Sequence, residues 1–421
     1  MQEHPFEATL EWAETRDNED PLHSFKSQFY FPKHGNNDAI YFCGNSLGLQ
    51  PKTAQAAMQQ ELDDWKEFAI EGFTKAKNPW LYYQLQFSAP MAAIAGCREH
   101  EVTVMNTLTV NLHLMMLSFY HPTKERYQIL MEAGAFPSDQ YAVETQVRFY
   151  GLDPEKTIIE IHPRDENKII LEEDILDTID KHKDTLALVL IGGINYYSGQ
   201  LFDMNVITAA AHKAGALAGF DLAHAIGNAA LLLHDWDVDF AVWCSYKYLN
   251  GGPGSAGGIY VHEKYARDKT HKRLGGWWGN DEKTRFKMEK GFIPKSDASG
   301  WNQSTAQIFN MAPLKASLEL FEAAGMKKLH AKSREQTAYL AFLLAQLNNI
   351  HFEIITPAEI NRRGAQLSLY FKERGKEIYQ KMTESGIVVD YREPGVIRVA
   401  PVPLYNSFEE VFRLYEILKN F

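Results

Sequence analysis

The segment LALVLIGG, residues 186–193, decides the fold class, because every residue before its two glycines is apolar. A strand with one face in water alternates apolar and polar residues, so this continuous pattern predicts a strand that is covered on both faces. Six further runs share its short, apolar character: VTVM (102–105), YQILM (127–131), TIIEI (157–161), ALAGF (216–220), FAVWC (240–244) and GGIYV (257–261). The sequence therefore predicts a central sheet of seven strands.

Helical patterns lie between these runs, among them LEEDILDTIDKHK (171–183) and MNVITAAAHKAG (204–215). Strand, helix and strand in succession predict a mostly parallel sheet flanked by helices, with right-handed crossovers. In such α/β sheets, ligands bind at the carboxyl ends of the strands. We therefore look for chemistry at that edge.

The pattern changes after about residue 312. One long helical stretch over 313–347 is followed by short strand-like pieces and a closing helix. We predict two domains: a large α/β domain over residues 51–311, and a smaller α+β domain formed by residues 1–50 together with 312–421.

Composition narrows the function classes. The 421 residues carry a formal net charge of −11, which disfavours binding to the phosphate backbone of nucleic acids. No apolar run approaches the ~20 residues of a membrane span, and the first residues lack the pattern of a signal peptide. Three widely separated cysteines form neither a disulfide framework nor a metal site, which fits a reducing cytoplasm.

Several polar residues fall where strands should end. Asp221 directly follows ALAGF, His224 comes three residues later, and Lys247 follows the run FAVWCSY. Thr109 begins a helical pattern after VTVM, and Phe136 lies in AFPSD after YQILM. Each has an ordinary structural explanation: a turn aspartate, a packed histidine, a helix cap or a solvated lysine. Their co-location at one edge favours a functional site.

One chemistry uses this whole set. A lysine amine can bind the aldehyde of pyridoxal phosphate covalently, and a carboxylate can keep the cofactor's pyridine nitrogen protonated. An aromatic ring can stack on the cofactor, and a helix N-terminus can bind its phosphate. Lys247, Asp221, Phe136 and the helix that begins near Thr109 can fill these roles.

Two other motifs resemble known binding sites without meeting their requirements. Residues 252–257 match GxGxxG, but a strand follows them, whereas the dinucleotide fingerprint must open a helix. The run HDWDVD (234–239) resembles a metal loop, but no glycine or glutamate completes a calcium pattern, so we expect a solvated turn. The histidines show no paired zinc spacing, and we predict no metal site.

Longer motifs resemble one known family. GNSLGLQP (44–51), GFDLAHAIGN (219–228), SYKYLN (245–250) and IRVAPVPLYNSF (397–408) together are similar to the kynureninases, pyridoxal-phosphate enzymes of fold type I in the aminotransferase superfamily. The resemblance covers nearly the whole chain. It implies hydrolysis of L-kynurenine or 3-hydroxykynurenine to an anthranilate and L-alanine, by a homodimer whose subunits share the active site.

The resemblance also implies residue roles. Lys247, Tyr246 and Asp221 are expected to be catalytic, with Tyr246 as proton donor. Cofactor contacts are expected from Leu108, Thr109, Phe136, Ser138, Asp139, Gly192, Asp221, His224, Tyr246, Lys247, Trp277 and Thr305, with Trp277 reaching the neighbouring subunit's site. Substrate contacts are expected from Ser46, Phe73 and Arg398, since arginine binds the α-carboxylate in a bidentate manner.

Three positions depart from the family pattern. Phe73 stands where many members have a histidine that contacts the substrate's aromatic ring, which leaves the preference between kynurenine and its 3-hydroxy form open. Gly192 and Thr305 replace a serine and an asparagine. Two alternatives also stay open: a cysteine desulfurase or another pyridoxal-phosphate β-lyase, and a non-enzymatic relative of the fold.

Overall fold

The computed structural model describes residues 6–164 and 169–421. Within these ranges the strands are β1 (Lys33–His34), β2 (Asn37–Asp38), β3 (Ile40–Tyr41), β4 (Val102–Val104), β5 (Gln128–Glu132), β6 (Ile158–Ile161), β7 (Leu186–Gly192), β8 (Leu217–Asp221), β9 (Phe240–Trp243), β10 (Gly258–Val261), β11 (Glu353–Ile354), β12 (Leu367–Tyr370), β13 (Ile387–Val388), β14 (Asp390–Arg392) and β15 (Val396–Val399).

The α-helices of the same ranges are α1 (Leu10–Glu19), α2 (Ala54–Phe68), α3 (Gly72–Lys75), α4 (Ser88–Ala95), α5 (Leu108–Phe119), α6 (Pro137–Phe149), α7 (Pro154–Thr157), α8 (Glu172–Lys181), α9 (Met204–Lys213), α10 (Glu263–Ala266), α11 (Glu282–Arg285), α12 (Ile308–Ala324), α13 (Met326–Leu344), α14 (Gly375–Glu384) and α15 (Phe408–Lys419). None of these helices combines the length and apolar character that a membrane crossing requires.

Seven strands form the central sheet, in the order β4-β10-β9-β8-β7-β5-β6. The pairs β5–β6, β5–β7, β7–β8 and β8–β9 are parallel, whereas β10 runs antiparallel to both of its neighbours. Each of the seven predicted apolar runs lies on one of these strands. The prediction of a mostly parallel, seven-stranded α/β fold is confirmed.

Both faces of the sheet are covered, as the continuous apolar pattern of β7 predicts. Val189 and Ile191 belong to one buried apolar cluster, and the alternate residues Leu188 and Leu190 belong to another on the opposite face. All four side chains are at most 4% exposed. Burial of apolar surface contributes about 25 cal/mol per Å², so both layers stabilise the sheet.

The carboxyl edge of the sheet collects polar groups. β5, β7 and β8 end at Glu132, Gly192 and Asp221, and the segment after β9 carries Lys247. β4 runs in the same direction as β9, because both are antiparallel to β10. The N-terminus of α5, at Leu108, therefore lies at this edge as well.

The two ends of the chain share a second core. A four-stranded antiparallel sheet has the order β11-β12-β15-β14, and β3 pairs in parallel with β13. Ala13 and Phe42, from the N-terminal segment, lie in the same buried cluster as Leu367 and Val399. Helices α1 and α13 both pack against α15. The predicted boundaries of two domains stay a prediction.

Two local expectations are wrong. The stretch expected as one long helix is two helices, α12 and α13, separated at Gly325, whose φ of +79° breaks the helical path. In HDWDVD, Asp239 is not a solvated turn residue: it is fully buried, and its carboxylate accepts hydrogen bonds from the Ala218 N–H and from His212.

Candidate active site

A cavity of about 250 Å³ opens at the carboxyl edge of the central sheet. Ten residues predicted to bind the cofactor line it, namely Leu108, Thr109, Phe136, Ser138, Asp139, Gly192, Asp221, His224, Tyr246 and Lys247. Thr107, Glu132, Ile194, Tyr196 and Ala223 complete the lining. The fold thus brings together residues that are up to 140 positions apart in the sequence.

Lys247 is 8% exposed, which is unusual for a lysine. Its Nζ lies 2.9 Å from His224 Nε2 and 5.7 Å from the centre of the Phe136 ring. Short hydrogen bonds fix the backbone of this segment: the Gly48 N–H donates to the Tyr246 carbonyl oxygen, and the Gly251 N–H donates to that of Ser245. These backbone bonds fix the segment that carries Lys247 at the cavity.

His224 is a neutral acceptor for this amine. Burial, followed by the positive charge of Lys247, lowers the pKa of the imidazole well below its ordinary value. A neutral ring can accept at Nε2 only if Nδ1 carries the proton. Nδ1 is buried and has no hydrogen-bond partner among the described residues.

Three carboxyl groups crowd the opposite wall. Asp221 is buried, and its Oδ1 accepts a hydrogen bond of 2.6 Å from the Ala223 N–H. Asp139 and Asp221 are close enough to affect each other's ionisation, and burial raises the pKa of both groups. Asp221 lines the same cavity as Lys247, and a carboxylate at this place suits a cationic ring nitrogen.

Glu132 is the third of these carboxyls and was missed by the sequence reasoning. It is 5% exposed, and both of its oxygens accept from the Gly192 N–H, at 3.1 and 3.2 Å. Burial raises its pKa to about 7. The available signal was its place: it is the last residue of a strand that ends at the same edge as Asp221.

The start of α5 offers backbone donors to the cavity. The first N–H groups of an α-helix have no partner within it. At the start of this 12-residue helix, the Thr107 side chain makes no capping bond to them. Leu108 and Thr109, which begin the helix, line the cavity. The helix dipole adds a partial positive charge at this point, so the end of α5 suits an anionic group.

Arg398 and Ser46 meet beside this cavity. Arg398 is 1% exposed, and its Nη1 donates to the backbone oxygen of Tyr196, a residue that lines the cavity. Its Nη2 donates to Ser46 Oγ at 3.0 Å, and it forms an ion pair with Asp390 at 2.8 Å. Burial opposes ionisation of Asp390, but the hydrogen bonds from Arg398 and Ser46 outweigh it and lower its pKa.

The remaining predicted residues lie outside the lining of this cavity. The Phe73 ring packs edge-on against Trp80, with 5.7 Å between centroids, and lies 6.4 Å from the ring of Trp278. Trp277 is 47% exposed. Thr305 lies in the bend before α12. Their roles at the cofactor and the substrate stay predictions.

Three possible metal ligands lie elsewhere. Glu101, His234 and His262 place ligand atoms within 4.8 Å of one another, beyond the opposite edge of the sheet. The Glu101 carboxylate already accepts hydrogen bonds from His234 and from the N–H groups of Arg98 and Glu263. These bonds explain the cluster as a helix-capping arrangement.

Comparison with known proteins identifies the family. A family model described as the kynureninase C-terminal domain matches residues 329–418. A kynureninase from Flavobacterium psychrophilum is 51% identical, covering 99% of this chain and 98% of the relative. A kynureninase from Nematostella vectensis is 45% identical, covering 97% and 93%. The chain belongs to the kynureninase family. The predictions of this family and of a pyridoxal-phosphate-dependent enzyme are confirmed.

Solved structures agree on the fold. The cystine C–S lyase C-DES has a TM-score of 0.74 at 18% identity, covering 92% of this chain and 99% of that one. A cysteine desulfurase from Thermococcus onnurineus has a TM-score of 0.73 at 17% identity, covering 91% and 94%. At such identities the likeness shows the fold alone, which these lyases share with the kynureninase family.

Proposed function

We propose that the protein hydrolyses L-kynurenine, or its 3-hydroxy form, to an anthranilate and L-alanine. The juxtaposition of Lys247, His224 and Asp221 in one cavity carries the proposal, in a chain of the kynureninase family. The reaction consumes one water. Its hydroxyl joins the carbonyl carbon that becomes the anthranilate carboxyl, and a proton joins the carbon that becomes the alanine methyl group.

The residues of the cavity fit pyridoxal phosphate. Lys247 offers an amine for its aldehyde, Asp221 a carboxylate for its ring nitrogen, and Phe136 a ring face that is 42% exposed. The backbone donors at the start of α5 suit its phosphate, and the unpartnered His224 Nδ1 is a buried donor awaiting an acceptor. When bound, the cofactor supplies an electron sink for the negative charge that develops on the substrate.

Lys247 has two tasks: it holds the cofactor, and its Nζ accepts and returns the substrate's α-proton. His224 contacts Nζ at 2.9 Å as a neutral group, and this contact orients the amine.

Tyr246 is our candidate for the proton donor to the departing carbon. Burial raises the pKa of its phenol, so the hydroxyl keeps its proton at neutral pH. It is a weak acid, and a hydrogen-bonded neighbour must stabilise the charge as the proton leaves. Tyr246 lines the cavity next to Lys247, which places donor and base in the same space.

Substrate binding is assigned to two regions. Arg398, with Ser46 beside it, binds the α-carboxylate through charge-assisted hydrogen bonds. Phe73, whose ring packs edge-on against Trp80, is our candidate for the contact with the substrate's aromatic ring, to which it would offer an apolar surface without a hydrogen bond. Contacts of these two kinds suit an amino acid with an aromatic end.

The test is direct. Holoenzyme incubated with L-kynurenine should release fluorescent anthranilate and an equal amount of L-alanine, and a parallel reaction should measure 3-hydroxykynurenine. K247A serves as the matched inactive control. Absence of anthranilate from folded, cofactor-loaded protein would overturn the proposal.

A cysteine desulfurase is the weaker alternative. Those enzymes present a mobile cysteine that accepts sulfur, whereas Cys43 and Cys244 are buried here and burial raises the pKa of both thiols. Cys97 is partly buried, and burial raises its pKa as well. Release of sulfide from L-cysteine, at a rate above that of kynurenine cleavage, would favour the desulfurase.

We also propose a homodimer with a shared active site, located in the cytoplasm. Large apolar side chains are exposed, including Tyr82 (46%), Trp277 (47%) and Phe286 (57%), of which the last two pack against each other. Such side chains are commonly covered by a partner. Sedimentation of a 48.0 kDa monomer would count against the dimer.

A further inference from the structure

Three charged side chains share one face at the edge of the four-stranded sheet. Asp390 lies directly opposite Arg398 in the antiparallel pair of β14 and β15. Arg392, two residues after Asp390, points to the same face because side chains alternate along a strand. The cluster contains two cations and one anion.

Asp390 uses up one side of the Arg398 guanidinium. Nε of Arg398 donates to Oδ1 at 3.0 Å, and Nη2 lies 2.8 Å from Oδ2. This bidentate geometry fixes the plane of the guanidinium. Nη1 donates to the Tyr196 carbonyl oxygen at 2.7 Å, and Nη2 also donates to Ser46 Oγ at 3.0 Å.

These bonds leave little of Arg398 free. A guanidinium has five N–H donors, and four of them are engaged. Two N–H groups of Arg398 can therefore donate to a substrate carboxylate. One is the fifth N–H, on Nη1, and the other is the N–H of Nη2 that donates to Ser46. Ser46 also donates to Asp390 Oδ2 at 2.8 Å, so its hydroxyl can keep that bond when a carboxylate takes its place as acceptor.

The negative charge of Asp390 also weakens the attraction of Arg398 for a substrate carboxylate. A carboxylate in contact with Arg398 cancels the charge that should attract a second carboxylate. Arg392 restores that charge: its Nε lies 2.9 Å from Asp390 Oδ1, and its Nη2 donates to Oδ2 at 3.1 Å. The Arg392 side chain is 41% exposed, whereas that of Arg398 is 1% exposed.

We propose that Asp390 is the positioning residue of Arg398, and that Arg392 supplies the net positive charge that draws the α-carboxylate of an amino-acid substrate to it. This inference rests on the proposed role of Arg398 as the carboxylate-binding residue. It gives the exposed arginine a part in recognition, although Arg398 alone contacts the carboxylate.

A pair of small amines isolates the carboxylate's contribution. L-Alanine and ethylamine differ by the carboxylate alone, and binding of each to the holoenzyme is followed by the visible absorbance of the cofactor. R392Q should raise the Kd of L-alanine about tenfold and leave that of ethylamine unchanged. R392K should restore most of the affinity, because charge rather than geometry is required at this position.

A matched control removes a nearby charge that plays no part. Lys376 is 75% exposed and pairs with Glu393, the residue after Arg392. K376Q should leave both dissociation constants unchanged. If K376Q matches R392Q, long-range charge alone explains the effect and the proposal for Arg392 is overturned; equal changes for both amines in R392Q would also overturn it.

D390N distinguishes positioning from simple charge compensation. If Asp390 only offsets buried positive charge, its loss leaves two cations and should lower the Kd of L-alanine. If it positions Arg398, the Kd of L-alanine should rise at least tenfold against ethylamine, with kcat falling as well. R392Q, by contrast, should raise KM with kcat unchanged, since it leaves the Arg398–Asp390 pair intact.

The outcome does not depend on kynurenine being the substrate. A holoenzyme that acts on any α-amino acid should bind L-alanine and ethylamine with different Kd values in this way, even if it forms no anthranilate. Should D390N fail to fold, R392Q carries the test, because a half-exposed side chain can be removed without a buried cavity. An unchanged ratio of the two dissociation constants in R392Q refutes the proposal.

Discussion

Replacing Glu132 with glutamine should stabilise the protein at pH 8 and leave its stability unchanged at low pH. Burial raises the pKa of this carboxyl from its ordinary value of 4.5 to about 7. The folded chain therefore holds a proton that the unfolded chain releases, and stability falls as the pH rises between these two values. One pKa unit corresponds to about 1.4 kcal/mol, so the loss amounts to roughly 3 kcal/mol above pH 7.

E132Q removes this loss without changing the shape of the site. The glutamine oxygen can still accept from the Gly192 N–H, which bonds both carboxylate oxygens at 3.1 and 3.2 Å. Equilibrium urea unfolding of wild type and E132Q, from pH 4 to pH 8, measures the difference. The difference in free energy of unfolding between the two proteins should grow from near zero at pH 4 to about 3 kcal/mol at pH 8. The contributions of the other buried carboxyls cancel, because both proteins contain them.

A control on the neighbouring strand separates burial from charge alone. Glu160 of β6 lies opposite Met131 in the parallel pair, and its side chain is 43% exposed. E160Q should change stability little at any pH. A constant difference between E132Q and wild type across the pH range would refute the reasoning from burial.

Three further predictions concern the site. K247A should abolish kynurenine cleavage and the retention of cofactor after borohydride reduction, measured by mass spectrometry, with the circular dichroism spectrum unchanged. G48A should cost about 1–3 kcal/mol of stability in urea unfolding, because its Cβ would lie 2.4 Å from the Lys247 carbonyl oxygen; an unchanged stability would contradict this close approach. F73H should raise kcat/KM for 3-hydroxykynurenine relative to kynurenine about tenfold, since an imidazole can hydrogen-bond the added hydroxyl; an unchanged ratio would remove Phe73 from the ring site.

The sequence predicts the central sheet and much of the cavity for one physical reason. A strand buried on both faces is apolar at every position, so β7 and its neighbours stand out without any periodic signal. The polar residues that follow these strands then lie at one edge of the sheet, because the strands are parallel. This rule is sufficient to place Asp221, His224 and Lys247 together, and the structure does bring them together.

Three features of the structure escape prediction from the sequence. Glu132 ends β5, but the apolar run stops one residue earlier, so its charge looks like the start of a loop. Tyr196 offers its backbone oxygen to Arg398, and a contact through the backbone leaves no mark on the residue type. The break at Gly325 does have a signal, since glycine commonly ends helices, but helix-forming residues continue on both sides of it.

The hydrogen bond between Ser46 and Arg398 joins residues 352 positions apart, and this has a consequence for biosynthesis. At the usual 5–20 residues per second, the ribosome needs about 20–70 seconds to travel from one to the other. During that interval the N-terminal strand β3 also lacks its partner β13. The contact between Arg398 and Ser46 can therefore form only after residue 398 has been made, later than the strands of the central sheet and the segment that carries Lys247.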